Sequence, residues 1–76
     1  AARRIPSTAW KAAQRKLKQI DLVTKLDELK IPPGNDLHVL KDDQAGRHAI
    51  KVNDQYRITF RWEGHDAYDV CCEDYH

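Results

Sequence analysis

The 76-residue chain ends in three side chains that can exchange protons or stack on a base: Asp74, Tyr75 and His76. Two more groups, His38 and Lys41, sit in LHVLK, and Arg57 sits in YRI. Histidine titrates near neutral pH and can serve as a base or an acid. Lysine and arginine bring positive charge to a phosphate. Together these types suit attack by a ribose 2′-hydroxyl on the neighbouring phosphorus. That reaction needs a base, an acid for the leaving oxygen, and cations for the charge that builds on phosphorus. Position alone favours a plainer account: chain ends fray, and charged strand residues are mostly solvated. The chemistry therefore requires elements that bring distant residues together.

The first half reads as helix. Ile5-Pro6-Ser7 is a start signal. Trp10, Ala13, Leu17 and Ile20 then recur at three- and four-residue spacing as an apolar stripe, with Lys11, Arg15, Lys16 and Lys18 off it. A second, short helix is predicted over about 24–30, with Leu26 and Leu29 inward. Pro32-Pro33-Gly34-Asn35 ends it, because two prolines and a glycine cannot continue a helix.

The second half reads as four strands, over 36–41, 47–52, 56–62 and 67–73. Short turn-rich links join them, which favours an antiparallel meander. The expected fold class is α+β, one domain over 1–76, with two N-terminal helices on one face of a four-stranded antiparallel sheet. Alternation puts Tyr56, Ile58, Phe60 and Trp62 on the core face, with Ile50, Val52 and His48 from the preceding strand and Tyr68, Val70 and Cys72 from the last. Trp10 and Trp62 are expected in the core, His48 in packing and His65 in a turn. The open face then carries Arg47, Lys51, Arg57 and Arg61, while many acids fall in turns. Four like charges with few acids facing them are costly unless an anion compensates, and a phosphodiester backbone is such an anion.

Composition bounds the rest. The net charge of +1 divides into eight Lys/Arg against three Asp/Glu in residues 1–30, and five against nine in residues 31–76. A basic first half attracts phosphates. No apolar run approaches the roughly 18 residues of a membrane span, and no signal-peptide pattern is visible. Cys71 and Cys72 are adjacent and so point to opposite faces of a strand. Free thiols fit a reducing cytoplasm. A zinc site from Cys71, His65 and His76 lacks a CxxC pair, and two ordinary strand cysteines are the expectation. A chain this short is marginal alone, so a partner is expected.

The stretches LHVLKDDQAGRHAIKVNDQYRITFRW, DAYDVCCEDYH and RKLKQIDLVTKLDELKIPPGN resemble the HigB toxins of bacterial toxin–antitoxin pairs, a branch of the RelE-type mRNA interferases. The combination of PPGN, LK, VNDQYRI and a terminal DYH, in order, carries the resemblance. It implies a RelE-like fold and an endoribonuclease that enters the ribosomal A site and cuts mRNA there, with no metal or other cofactor. It implies a cytoplasmic protein with a HigA-type helix-turn-helix antitoxin as partner, and operator DNA contacted only through that antitoxin. Carried over residue by residue, His38 becomes a group for proton transfer or substrate orientation, Lys41 a transition-state cation and Arg57 the stabiliser of the scissile phosphate. Asp74 becomes a proton acceptor or orienting group, Tyr75 a stacking or hydrogen-bonding group, and His76 a general acid or base. The assignment of base and acid stays open. Arg47, Lys51 and Arg61 would bind the RNA backbone.

Two departures stand out. Family members begin with a strand and partial helix that this chain, opening Ala1-Ala2-Arg3-Arg4, is expected to lack, which leaves a sheet edge unpaired. The family turn LKGDRAG reads LKDDQAG here, with Asp42 for glycine and Gln44 for arginine. The alternative function is a non-catalytic basic module that binds RNA or only its antitoxin. The altered turn is expected to weaken RNA binding: an Asp42→Gly, Gln44→Arg double variant should cut RNA faster than the parent, and equal rates in a cleavage assay would dispose of the idea.

Overall fold

The computed structural model describes residues 7–74; Tyr75 and His76, two of the expected site residues, lie outside the described residues. An α-helix, α1, spans Ser7–Leu22. Four strands follow: β1 (His38–Val39), β2 (His48–Lys51), β3 (Tyr56–Glu63) and β4 (Asp66–Asp74). They form one antiparallel sheet in the order β1-β2-β3-β4, so the expected meander is present. The architecture is α+β.

The second expected α-helix is instead a 3-10 turn over Leu26–Lys30. The backbone returns to an extended conformation at Ile31 just before the prolines, which leaves five residues, too few to repay the cost of nucleating an α-helix. Glu28 closes the entry to this turn. Its Oε1 accepts from the backbone N–H of Thr24 (3.2 Å) and Lys25 (2.9 Å).

The apolar stripe of α1 is also rotated from the expected one. Ala9, Ala13 and Ile20 are buried, Leu17 packs at the margin, and Trp10 is 43% exposed, not in the core. Two alanines let the helix backbone approach closely, and an indole in their place would hold it off. The core is Ile20 and Leu29 against Ile50, Ile58 and Phe60, with Trp62, Val52, Cys72 and Ala67 at its rim. His48 stacks on Phe60 with ring centroids 5.8 Å apart, consistent with the packing role expected for it.

β3 is buried on both faces. Ile58 and Phe60 turn to the helix side and Thr59 to the other, all three at 0% exposure. Its neighbours are set residue for residue: Ala49↔Thr59↔Cys71 and Lys51↔Arg57↔Glu73. β4 breaks the pattern. Thr59 faces Cys71 but Arg61 faces Tyr68, so two residues of β4 span one of β3, and the bulge residue Asp69 is left-handed at φ 52°. The bulge reverses parity along β4. Cys72 and Ala67 pack on the core, whereas Tyr68 is turned to the arginine face and is 45% exposed; Val70 is 40% exposed. Uninterrupted alternation would place both in the core.

β1 is shorter than the expected 36–41. One further ladder bond continues, from Leu40 N–H to Arg47 O at 2.8 Å. Asp42 then takes a left-handed φ of 60° and opens a 3-10 turn over Asp42–Gln44. This is the position where the family turn has glycine, and glycine takes that conformation without steric cost.

A buried amide ties the helix to the segments that follow. Asn35 is fully buried. Its Nδ2 donates to Gln19 Oε1 and Leu29 O, each at 3.1 Å, and Lys16 Nζ donates to its Oδ1. An unpaired buried polar group costs about 1–3 kcal/mol. Asn35→Ala removes all of these partners at once, so urea denaturation should show a loss of about 2–3 kcal/mol; an unchanged midpoint would mean the amide is not a tie.

Candidate functional site

Alternation and register gather the candidate residues into rows across the face opposite α1. His38 pairs with Ala49, which continues through Thr59 to Cys71. The next row runs Lys51–Arg57–Glu73. A small cleft of about 200 Å³ opens there, lined by Asp36, His38, Lys51 and Arg57. Three of the residues singled out from sequence therefore meet at one place.

Each is held by its neighbours. His38 is exposed and its Nδ1 lies 2.7 Å from Asp36 O. A carbonyl only accepts, so Nδ1 carries a proton, and Nε2 is the nitrogen at which the ring can exchange one. Asp36 itself is left-handed at φ 49°, which turns the chain from the Pro33–Asn35 turn toward β1. Lys51 Nζ meets Asp54 Oδ1 at 3.2 Å. Arg57 donates through Nε (3.1 Å) and Nη2 (2.8 Å) to Glu73 Oε1, and Gln44 Nε2 donates to the same oxygen at 3.2 Å.

Glu73 is the functional candidate that the sequence reading missed. A signal for it exists: with Cys72 inward, strand parity sends Glu73 outward, opposite Arg57. Burial pushes its carboxyl pKa up, but the hydrogen bonds from Arg57 and Gln44, with the charges of Arg57 and Arg47, together hold it below the ordinary glutamate range. Asp74 has the opposite parity. It pairs in register with Tyr56, whose position shares the parity of Ile58, and accepts from Gln55 Nε2 at 3.0 Å. Lys41 is exposed, leads into the Asp42–Gln44 turn and does not line the cleft.

Arg47 and Arg61 lie about 13 Å further along the strands, four residues from Lys51 and Arg57 at about 3.3 Å each. They brace the β4 bulge. Arg47 Nη2 donates to Asp69 O (2.7 Å) and Thr59 Oγ1 (3.1 Å). Arg61 Nε donates to Asp69 Oδ2 at 2.7 Å, its Nη1 donates to Glu63, and its guanidinium lies over the Tyr68 ring at 5.7 Å from the centroid. The hydrogen bond from Arg61, then its charge, holds the Asp69 carboxyl low, and Asp69 and Glu63 in turn raise the Arg61 pKa.

The expectation of a cationic face with few opposing acids is thus corrected. Glu73, Asp69, Glu63 and Asp54 pair with Arg57, Arg61 and Lys51. Asp42, Asp43 and Asp54 do fall in turns; the acids that offset the face are the β4 residues Glu73 and Asp69, the latter brought to it by the bulge.

Burial, then the charge of Glu73, pushes the Cys72 thiol up, away from the reactive thiolate. Among the described residues no group of three or more His, Cys, Asp or Glu is placed to hold a metal ion. His65 sits in the β3–β4 turn and donates from Nδ1 to Thr24 O at 2.9 Å, clamping that turn to the loop after α1.

A family model described as the RelE-like toxin of type II toxin–antitoxin system HigB matches residues 1–76. The chain belongs to this family. Toxin HigB-1 of Vibrio cholerae is 42% identical over 60 residues, covering 79% of this chain and 63% of that protein. Endoribonuclease HigB of Proteus vulgaris is 41% identical over 61 residues, covering 80% of this chain and 65% of that protein. The chain therefore spans less than two thirds of the length of these curated relatives. Within this HigB-like fold, the Arg57–Glu73 pair links β3 to β4 beside the cleft.

The pair has a definite pH signature. A carboxylate whose folded pKa is depressed stabilises the fold above its unfolded pKa, and that contribution is lost as pH falls through the folded value. For Glu73 the loss therefore begins near the ordinary value of 4.5 and completes below it. The stability difference between the parent and Glu73→Gln should narrow as pH drops from about 6 to about 3. Urea titrations at several pH values measure it, and a constant gap would contradict the assignment.

Proposed function

We propose that this chain is the RNA-cleaving part of a HigB-type toxin that cuts mRNA on the ribosome without a metal. The observation that carries the reading is the cleft that unites His38, Lys51 and Arg57, a proton carrier and two cations, on an open sheet face. The relative named Endoribonuclease HigB supports the reaction class.

In this reading the scissile phosphate lies in the cleft. Arg57 and Lys51 offset the charge that accumulates on its oxygens, the effect that commonly dominates such catalysis. His38 takes the proton of the attacking 2′-hydroxyl at Nε2, an assignment supported by the hydrogen bond of Nδ1 to Asp36. The 2′-oxygen forms a bond to phosphorus, the bond to the 5′-oxygen breaks, and that oxygen takes a proton from His76. Lys41 approaches the substrate from the turn, Asp74 orients the C-terminal segment, and Tyr75 stacks on a base. Arg47 and Arg61 guide the strand at the far end of the face, exchanging carboxylate partners for phosphates. A HigA-type antitoxin neutralises the protein in the cytoplasm and alone contacts operator DNA.

A second reading is favoured by one observation: the cations of the face are already paired with carboxylates. In that reading the fold is a binding module for RNA or for its antitoxin, with no cleavage.

Primer extension on translated mRNA with the full-length protein separates the two. Cuts within codons are expected. Arg57→Ala, His38→Gln and His76→Ala should each lower cleavage by roughly 10²–10⁴-fold while the protein stays folded. RNA binding with no cuts would establish the module, and variants that cut like the parent would remove these residues from catalysis.

A further inference from the structure

Cleavage by His38, Lys51, Arg57 and His76 leaves Glu73 without a role, yet it is the carboxylate that holds Arg57. It faces Arg57 directly in the β3–β4 register. One of its oxygens, Oε1, accepts from two nitrogens of Arg57 and from Gln44, which reaches it from the Asp42–Gln44 turn. The two side chains of the pair are 21% and 32% exposed, so water competes only partly for these bonds. A carboxylate beside a phosphate site would normally repel substrate. Here its placement separates it from the substrate: Arg57 lines the cleft with Asp36, His38 and Lys51, and Glu73 does not. The carboxylate holds the Nε–Nη2 edge of the guanidinium from the β4 side, and Arg57 is one of the residues of the cleft wall.

An arginine on a long stem samples many rotamers, and its planar fork is most useful when those rotamers are already restricted. We propose that Glu73, itself held by Gln44, is a positioning residue that aims the Arg57 guanidinium into the cleft before RNA arrives. The inference rests on the ribonuclease reading and adds to it a residue that acts through Arg57 without touching the substrate. Gln44 gains a role as well. Where the family turn carries an arginine, this turn supplies a neutral donor that steadies Glu73 without competing for phosphate.

Positioning has a kinetic signature that simple stabilisation lacks. With the full-length protein acting on mRNA bound to programmed ribosomes, Glu73→Ala should lower kcat about 10-fold and leave KM within about twofold, since misplacing a catalytic group degrades the transition state more than substrate binding. Glu73→Gln, which keeps a carbonyl acceptor for Arg57, should recover part of the loss. In an Arg57→Ala background, Glu73→Ala should add nothing, because its effect is routed through the missing guanidinium. The ¹⁵N spectrum should show a protected Arg57 Nε–H in the parent that disappears in Glu73→Ala. Glu73 variants that cut at the parental rate, or losses that add in the Arg57→Ala background, would overturn the inference. Faster cutting by Glu73→Ala would also overturn it and make Glu73 a competitor for phosphate. A parent that cuts no RNA would instead sink the ribonuclease reading, and the Nε–H signal would then decide alone whether Glu73 fixes the guanidinium.

Discussion

The register of β3 is the constraint on which the rest of the molecule depends. With Ile58 and Phe60 sealed against the helix and Thr59 sealed on the other face, β3 is buried from both sides. A slip of one residue would send Phe60 and Ile58 to the arginine face and Arg57 and Arg61 into the core, burying charges without partners. Hydrophobic burial on one side and the cost of an unpaired guanidinium on the other thus select the same register. That register places Lys51, Arg57 and Glu73 in a single row.

The polar face is better understood as a set of compensated charges than as a positive plate. Arg47, Lys51, Arg57 and Arg61 each have a specific acceptor on the same surface, and the acceptors serve different ends. Around Asp69 they stabilise a bulge: Arg47 satisfies its carbonyl and Arg61 its carboxylate, so a left-handed residue is held by two arginines. Around Glu73 they fix the guanidinium of Arg57, a residue that lines a cleft. Under the proposed function, a phosphate bound there would meet a guanidinium already held in place, the condition under which charged groups stabilise a transition state most effectively.

Small hydrogen-bonded ties hold the loops that frame this face. Asn35 joins α1 to the residues just before β1, and Asn53 Oδ1 accepts from the backbone N–H of Gln55 (2.9 Å) and Tyr56 (2.8 Å) at the β2–β3 turn. Asp36, Asp42 and Asp69 adopt left-handed backbone at points where the chain changes direction. Aspartate tolerates that conformation better than most side chains, so these acids serve geometry as well as charge. Composition counts them only as negative.

Much of this is legible in the chain itself. The α-helix, the meander order, and the inward residues of β2 and β3 follow from periods of 3.6 and 2 and from turn-forming residues, all of which are local signals. The second helix fails because its segment is too short to nucleate before the prolines, and Trp10 stays out of the core because close approach by alanines outcompetes burial of an indole. What only the tertiary structure decided is pairing. The sequence determined which residues are cationic and which strands carry them. It did not determine that Glu73 meets Arg57, that Gln44 crosses to the same oxygen, or that a bulge at Asp69 turns Tyr68 outward. Those outcomes depend on register between strands and on one backbone angle. Both are chosen by contacts between distant segments, and no local periodicity encodes them.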